Sequence, residues 1–172
     1  LDLYSTDFTP EMGYSTGLGS LYPRRDTIAQ GHQFQTRPVE VRTIDSILEE
    51  RGIRRVDFLK MDLEGHELFA LRGATAALSA GVIRALSFEF GAGNVNSRTF
   101  FRDFWELLSP YGYAFHRICP GGVTVPVTEY YEDLEFFRGV SNYLAKLPES
   151  MPTSLPAATP SVSAKLTSAG SK

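Results

Sequence analysis

The chain has 172 residues, of which 42% are hydrophobic, 12% aromatic and 22% charged. These values are typical of a soluble globular protein, and the length suits one compact domain with a single core. Seventeen Lys and Arg residues against twenty Asp and Glu residues give a formal net charge of −3. This balance disfavours nucleic acid and anionic membrane surfaces as partners, because both attract proteins with an excess of basic side chains.

No apolar run approaches the ~20 residues that cross a bilayer, and the N-terminus lacks the pattern of a signal peptide. We therefore expect a cytoplasmic location. Cys119 is the single cysteine, so an internal disulfide and a zinc site of the CxxC kind are both excluded.

The first forty residues carry little regular pattern. The alternation in residues 1–4 (LDLY) predicts the middle of a strand, so we expect the chain to be a fragment. Residues 5–38 are rich in Gly, Ser, Thr and Pro without a period of 2 or 3.6, which predicts loops. Residues 39–41 (VEV) alternate as a short strand does. Thr43 then stands at the N-cap of a predicted helix that Gly52 ends.

The middle of the chain predicts a β-α-β unit. Residues 56–61 (VDFLKM) form a short apolar run typical of a strand, and residues 82–90 (VIRALSFEF) form a second one. Between them, Leu68, Leu71 and Leu78 recur at near-helical spacing. Gly73 interrupts this stretch, which indicates a break between two short helices or a close packing contact.

The C-terminal half predicts one more helix and several strands. Residues 91–96 are expected to form a loop, after which Ser97 would cap a helix with a broad apolar stripe over residues 100–108. Strands are predicted at residues 113–118, 123–128 and 135–144. The alternation of elements implies an α/β sheet with helices on both faces. Residues 148–172 contain no aromatic residue and predict a disordered tail, which leaves residues 1–147 as the folded domain.

The candidate site follows the first strand of the β-α-β unit. A strand buried on both faces is continuously apolar, whereas this one becomes charged at its carboxyl end, with Lys60, Asp62 and Glu64. In open α/β sheets the ligand crevice lies outside the carboxyl ends of the strands. Glu89, near the end of the next strand, is expected beside these residues.

A purely structural reading stands beside this one. Lys60 could form an ion pair with Asp62 or Glu89, while Glu64 and Glu67 could favour the dipole of the following helix. For Asp62 we favour function, because it has no comparable capping role. His66 is interpreted as a surface histidine rather than a metal ligand, since it and Glu67 face different ways on a helix.

Other candidates are weaker. The GxG sequence at residues 17–19 is interpreted as a turn, because no apolar strand precedes it. The remaining hydroxyl and histidine candidates have no partner at a diagnostic spacing, so they do not indicate a catalytic triad. These residues are Ser15, Ser20, His32 and His116.

The stretch VDFLKMDLEGHE at residues 56–67, continued by LRGA at 71–74, strongly resembles the signature of the FkbM family of methyltransferases. The segments VEVRTID at 39–45 and SFEF at 87–90 are similar to those that flank it, as are YGY at 111–113 and NYLA at 142–145. The resemblance covers about residues 1–146. It implies a Rossmann-like, doubly wound sheet of the class I methyltransferase type that binds S-adenosylmethionine and methylates a hydroxyl of a sugar or secondary metabolite.

The chemistry of methyl transfer suggests roles for the charged residues, and the resemblance implies an omission. Asp62 would orient the small-molecule acceptor or act as base, directly or through a bound divalent ion, with Glu64 as second candidate. Lys60 would hold a carboxylate ionised or stabilise an alkoxide, and Glu89 would border the substrate. Family members carry, upstream, a strand with a glycine-rich loop and a strand with an acidic residue for the ribose. Neither is found here, so we expect the C-terminal part of the domain, without its N-terminal strands.

Two alternatives stay open at this point. One is a degenerate, methyltransferase-like binding domain that has lost the cofactor loop and cannot methylate by itself. The other is a metal-dependent hydrolase that uses Asp62, Glu64 and Glu89, since oxygen ligands close together on a turn can hold a hard cation.

Overall fold

The computed structural model describes residues 1–6, 19–23, 34–136 and 139–149. It contains seven strands: β1 (Asp2–Thr6), β2 (Phe34–Pro38), β3 (Leu59–Lys60), β4 (Ala85–Gly91), β5 (Ala114–Ile118), β6 (Thr124–Val127) and β7 (Val140–Lys146). It also contains five α-helices: α1 (Ile44–Glu50), α2 (Glu67–Arg72), α3 (Thr75–Ser79), α4 (Ala92–Ser97) and α5 (Phe101–Leu108). Short 3₁₀ turns cover residues 109–111, 120–122 and 132–135.

Five strands form one mixed sheet in the order β3-β4-β7-β5-β6. β3 and β4 are parallel, whereas the pairs β4–β7, β7–β5 and β5–β6 are antiparallel. β1 and β2 form a separate antiparallel pair. The fold is therefore mixed α/β, as the alternation of elements predicted.

The core lies on one face of this sheet. Phe88 of β4 stacks on Phe104 of α5 with ring centroids 4.4 Å apart, and Phe101 lies 4.5 Å from Tyr143 of β7 by the same measure. These rings are buried, as the apolar stripe predicted for α5 requires. On the opposite face, Asn142 and Lys146 are exposed, so a second helical layer over β7 is not seen in the part of the chain that is described.

The predicted β-α-β unit is confirmed. Parallel pairing begins with a bridge between Val56 and Ile83 and extends to the bond from the Met61 amide to the Ser87 carbonyl. Gly73 does mark a break, because α2 ends at Arg72 and α3 begins at Thr75. A Cβ at Gly73 would lie 3.3 Å from Thr43, so the glycine also permits close packing. The predicted N-cap of α1 is confirmed too, since Thr43 Oγ1 accepts from the Ser46 amide at 3.1 Å.

Several local predictions near the N-terminus are wrong. Residues 34–38 form β2 rather than a loop, because pairing with β1 supplies the backbone partners that a local pattern does not reveal. Residues 39–41 are not a strand; the Val39 amide bonds the Leu1 carbonyl, and the chain then passes along a cavity.

The capping of α5 also differs from the prediction. Ser97 ends α4, which occupies most of the expected loop, and does not cap α5. The first amides of α5 instead bond the carboxylate of Glu135, at 2.7 Å for Phe101 and 2.9 Å for Arg102. A residue 34 positions away thus satisfies donors that a helix leaves unpaired at its N-terminus.

Several predictions concern residues that the structure does not describe. These are the turn at residues 17–19, of which only Gly19 is described, Ser15, His32 and residues 150–172 of the predicted tail. No described helix has both the length and the apolar character to span a membrane.

Candidate functional site

A cavity of about 600 Å³ opens beside the carboxyl end of β3. Its walls come from residues 19–21, 39–44 and 59–63, together with Leu3, His66, Phe69, Ala70 and Gly73. The volume is within the range of roughly 300–1,000 Å³ that small-molecule sites occupy. Lys60 and Asp62 are part of this wall, so the structure places two of the predicted site residues at one cavity.

A tight turn after Asp62 shapes this end of the cavity. Glu64 has φ 51° and Gly65 has φ 100°, both in a region that side chains disfavour. Gly65 packs backbone against backbone on Gly93, and a Cβ at Gly65 would overlap the Gly93 carbonyl. The turn therefore requires glycine at position 65 for conformation and for space.

The buried carboxylate of Glu67 stabilises this turn by hydrogen bonds to its backbone. Its side chain is 1% exposed, and its two carboxylate oxygens accept from the Leu63 amide at 2.7 Å and the Gly65 amide at 3.0 Å. Burial raises the pKa of Glu67, while these amide bonds act in the opposite direction. Glu67 is thus structural, as the sequence favoured, but it acts by bonding the turn rather than through the helix dipole alone.

Lys60 and Asp62 form an ion pair, with Nζ 3.1 Å from Oδ2. Their side chains are 69% and 49% exposed, and an ion pair this exposed contributes only about 0–1 kcal/mol to stability. The small contribution of this ion pair to stability therefore does not explain why two charged side chains lie at the cavity.

Glu64 and Glu89 are near this pair but are not part of the cavity wall. Glu89 lies two residues beyond Ser87, the partner of Lys60, and so shares its face of the sheet. Burial and then the charges of Asp62, Glu64 and Glu67 raise the pKa of Glu89, while Lys60 lowers it. The predicted proximity of Glu89 to the other acidic residues is thus reflected in its electrostatics.

The structure adds an aromatic cluster that the sequence did not predict. His66 Nδ1 is 2.9 Å from the Tyr22 hydroxyl, and the His66 ring stacks on Phe69 with centroids 5.1 Å apart. His66 and Phe69 both line the cavity. The His66 ring is half-buried in the cavity wall rather than fully exposed. Its place in the DLEGHE stretch was the only sequence signal, and nothing in the sequence indicated Tyr22.

A second residue of the N-terminal segment contacts the same turn. Ser20 is buried, and its hydroxyl donates to the Glu64 carbonyl at 3.0 Å while accepting from the Tyr22 amide at 3.2 Å. Residues 19–23 are thereby fixed against the turn that follows β3. His116, which had no diagnostic spacing, lies on β5, far along the sheet order from this cavity.

The described residues include no group of three or more His, Cys, Asp or Glu side chains arranged to hold a metal ion. The carboxylates of Asp62, Glu64 and Glu89 therefore do not form the ligand set that the hydrolase alternative requires.

The sequence model of the family described as "Methyltransferase FkbM domain" matches residues 6–115. No curated protein and no solved structure matches the chain. The matched range contains β3, the turn, the aromatic cluster and β4.

Proposed function

Because the chain belongs to the FkbM methyltransferase family, we propose that its cavity serves methyl transfer from S-adenosylmethionine to a hydroxyl oxygen of a small molecule, such as a sugar or secondary metabolite. The observation that carries this proposal is the placement of Lys60 and Asp62 in the wall of a ligand-sized cavity at the carboxyl end of a parallel strand. We further propose that the sheet is of the Rossmann-like, class I methyltransferase type, in which ligands bind at this edge.

The residues of the cavity fit the cofactor chemically. S-adenosylmethionine carries a sulfonium and an ammonium group, hydroxyls and an adenine ring. The cavity wall offers the carboxylates of Glu40 and Asp62, which accept from such donors and attract cations, and an aromatic surface at Phe69. When bound, the cofactor supplies an activated methyl group.

The chain's own residues would then act mainly by positioning. Orientation of two reactants in one site can lower a barrier by about 7–11 kcal/mol. Asp62 would accept a hydrogen bond from the acceptor hydroxyl and fix its direction. Lys60, 3.1 Å from Asp62, would hold that carboxylate in position and offset negative charge that develops on the acceptor oxygen. Glu64 and Glu89 do not line the cavity, so they would act on the acceptor only through their negative charge.

The proposal is tested by comparing Asp62→Asn with Asp57→Asn. Asp57 also belongs to an exposed i,i+2 ion pair, with Arg55 at 2.6 Å, but it does not line the cavity. Turnover is measured as release of S-adenosylhomocysteine over a panel of hydroxylated compounds, with the full-length protein. We expect Asp62→Asn to reduce turnover at least tenfold with an unchanged melting temperature, and Asp57→Asn to change neither.

Two results contradict the proposal. If the full-length protein binds no S-adenosylmethionine by calorimetry, the degenerate binding domain is the better description. If Asp62→Asn lowers the melting temperature by several degrees and leaves turnover intact, the Lys60–Asp62 pair is structural.

A further inference from the structure

The cavity wall contains a second group capable of accepting a proton. His66 lines the cavity, and its ring is held on two sides: Nδ1 is bonded to the Tyr22 hydroxyl at 2.9 Å, and one face is stacked on Phe69. The other ring nitrogen, Nε2, has no hydrogen-bond partner within the described ranges. A histidine fixed through one nitrogen with its second nitrogen free is the arrangement of a general base.

The direction of the hydrogen bond between Tyr22 and His66 sets which ring nitrogen is basic, and this direction depends on the tautomer of the imidazole. Burial, then the charge of Glu67, raises the pKa of Tyr22, so the side chain is a neutral phenol. Its oxygen can accept from Nδ1–H, which leaves the lone pair on Nε2. The same oxygen still accepts from Nδ1–H after Nε2 gains a proton, so this bond supports both states of the ring.

We propose that His66 Nε2 accepts the proton of the acceptor hydroxyl during methyl transfer, and that Tyr22 positions the ring for this step. The inference rests on the proposed function. The O–H bond breaks as the oxygen forms its bond to the methyl carbon of the sulfonium donor, the electron pair of the carbon–sulfur bond stays on sulfur, and the proton passes to Nε2. His66 is then a catalytic residue, Tyr22 a positioning residue, and Asp62 orients the acceptor.

The surroundings suit a neutral imidazole as the base. Burial lowers the pKa of His66, so the ring is unprotonated and able to accept at neutral pH. Imidazole is also a stronger base than a carboxylate, which favours His66 over Asp62 for this step. The charged groups of the same cavity wall and of the adjoining turn and helix are Glu40, Arg42, Lys60, Asp62, Glu64, Glu67 and Arg72. Four carboxylates and three cations make up this set, so the imidazolium that forms is not isolated among positive charges.

The tautomer of His66 is the direct test, and it needs no substrate. Histidine-labelled protein is examined by ¹⁵N–¹H correlation NMR at neutral pH, with His66→Gln used to assign the signal. We expect Nδ1 to carry the proton and Nε2 to be unprotonated, and we expect this preference to be lost in Tyr22→Phe. Tyr131→Phe, which removes an exposed phenol elsewhere, is the matched control. A ring protonated on Nε2 in the wild type would overturn the inference.

Turnover provides the second test. In full-length protein that binds S-adenosylmethionine, His66→Gln is expected to reduce turnover by about 10²–10⁴ and to remove the acidic limb of its pH profile. Tyr22→Phe is expected to lose about tenfold, the size of one hydrogen bond, and His116→Gln nothing. Unchanged turnover in His66→Gln overturns the role of His66 while leaving the proposed function intact. Absence of cofactor binding in the wild type overturns the proposed function itself.

Discussion

Gly65 offers the sharpest test of how the turn after β3 is built. Its φ of 100° is unfavourable for any residue with a side chain, and a Cβ there would lie 2.6 Å from the carbonyl carbon of Gly93. This contact is with backbone, which cannot rotate away as a side chain can. Gly65→Ala therefore has to move the turn or the start of α4.

The magnitude follows from two contributions. An L-residue in a left-handed conformation costs about 1–2 kcal/mol. Movement of the turn also weakens the bonds from the Leu63 and Gly65 amides to Glu67, and a hydrogen bond to a charged group contributes about 1.5–3 kcal/mol. Loss of one such bond brings the expected destabilisation of Gly65→Ala to about 2.5–5 kcal/mol.

Gly121 supplies the matched control, because it has φ 80° but no atom of the described residues lies within 4 Å of the place where its Cβ would stand. Gly121→Ala is expected to cost only the conformational contribution, about 1–2 kcal/mol. The free energy of unfolding of both variants and the wild type is measured by urea denaturation. If Gly65→Ala costs no more than Gly121→Ala, the close approach of Gly65 to Gly93 does not constrain the turn, and the reasoning fails.

Two further predictions concern capping and pH. Glu135→Ala removes the acceptor for the first amides of α5 and is expected to lower the free energy of unfolding, measured by urea denaturation, by about 0.5–2 kcal/mol. Glu132→Ala, at an exposed position, is its control. Equal losses of stability in the two variants would refute the capping role of Glu135. Because burial lowers the pKa of folded His66, the unfolded chain binds more protons just below about pH 6.5, so acidification in that range destabilises the fold. His66→Gln should lose less stability than the wild type over this interval, and an identical pH dependence would contradict the assignment.

Much of the fold is encoded locally. The apolar runs at residues 56–61 and 82–90 predict β3 and β4, and the spacing of Leu68, Leu71 and Leu78 predicts the helices between them, because burial on a sheet or under a helix requires a regular spacing of apolar side chains. The N-cap at Thr43 and the break at Gly73 are likewise local, since each depends on neighbours a few residues away. By contrast α4 has no apolar period: Asn94 shapes its start by accepting from the Gly91 amide at 2.8 Å and donating to Thr99 at 2.9 Å.

Some residues of the candidate site were likewise predictable from the sequence, and others depend on the tertiary structure. The sequence by itself indicated Lys60 and Asp62, because charge at the end of an apolar strand has no role in the core. Only the tertiary structure brought Tyr22 to His66 across 44 positions and Glu135 to the start of α5 across 34. Partners so far apart in the chain leave no periodic signal, since their meeting depends on how the whole backbone packs rather than on the residues that flank either one.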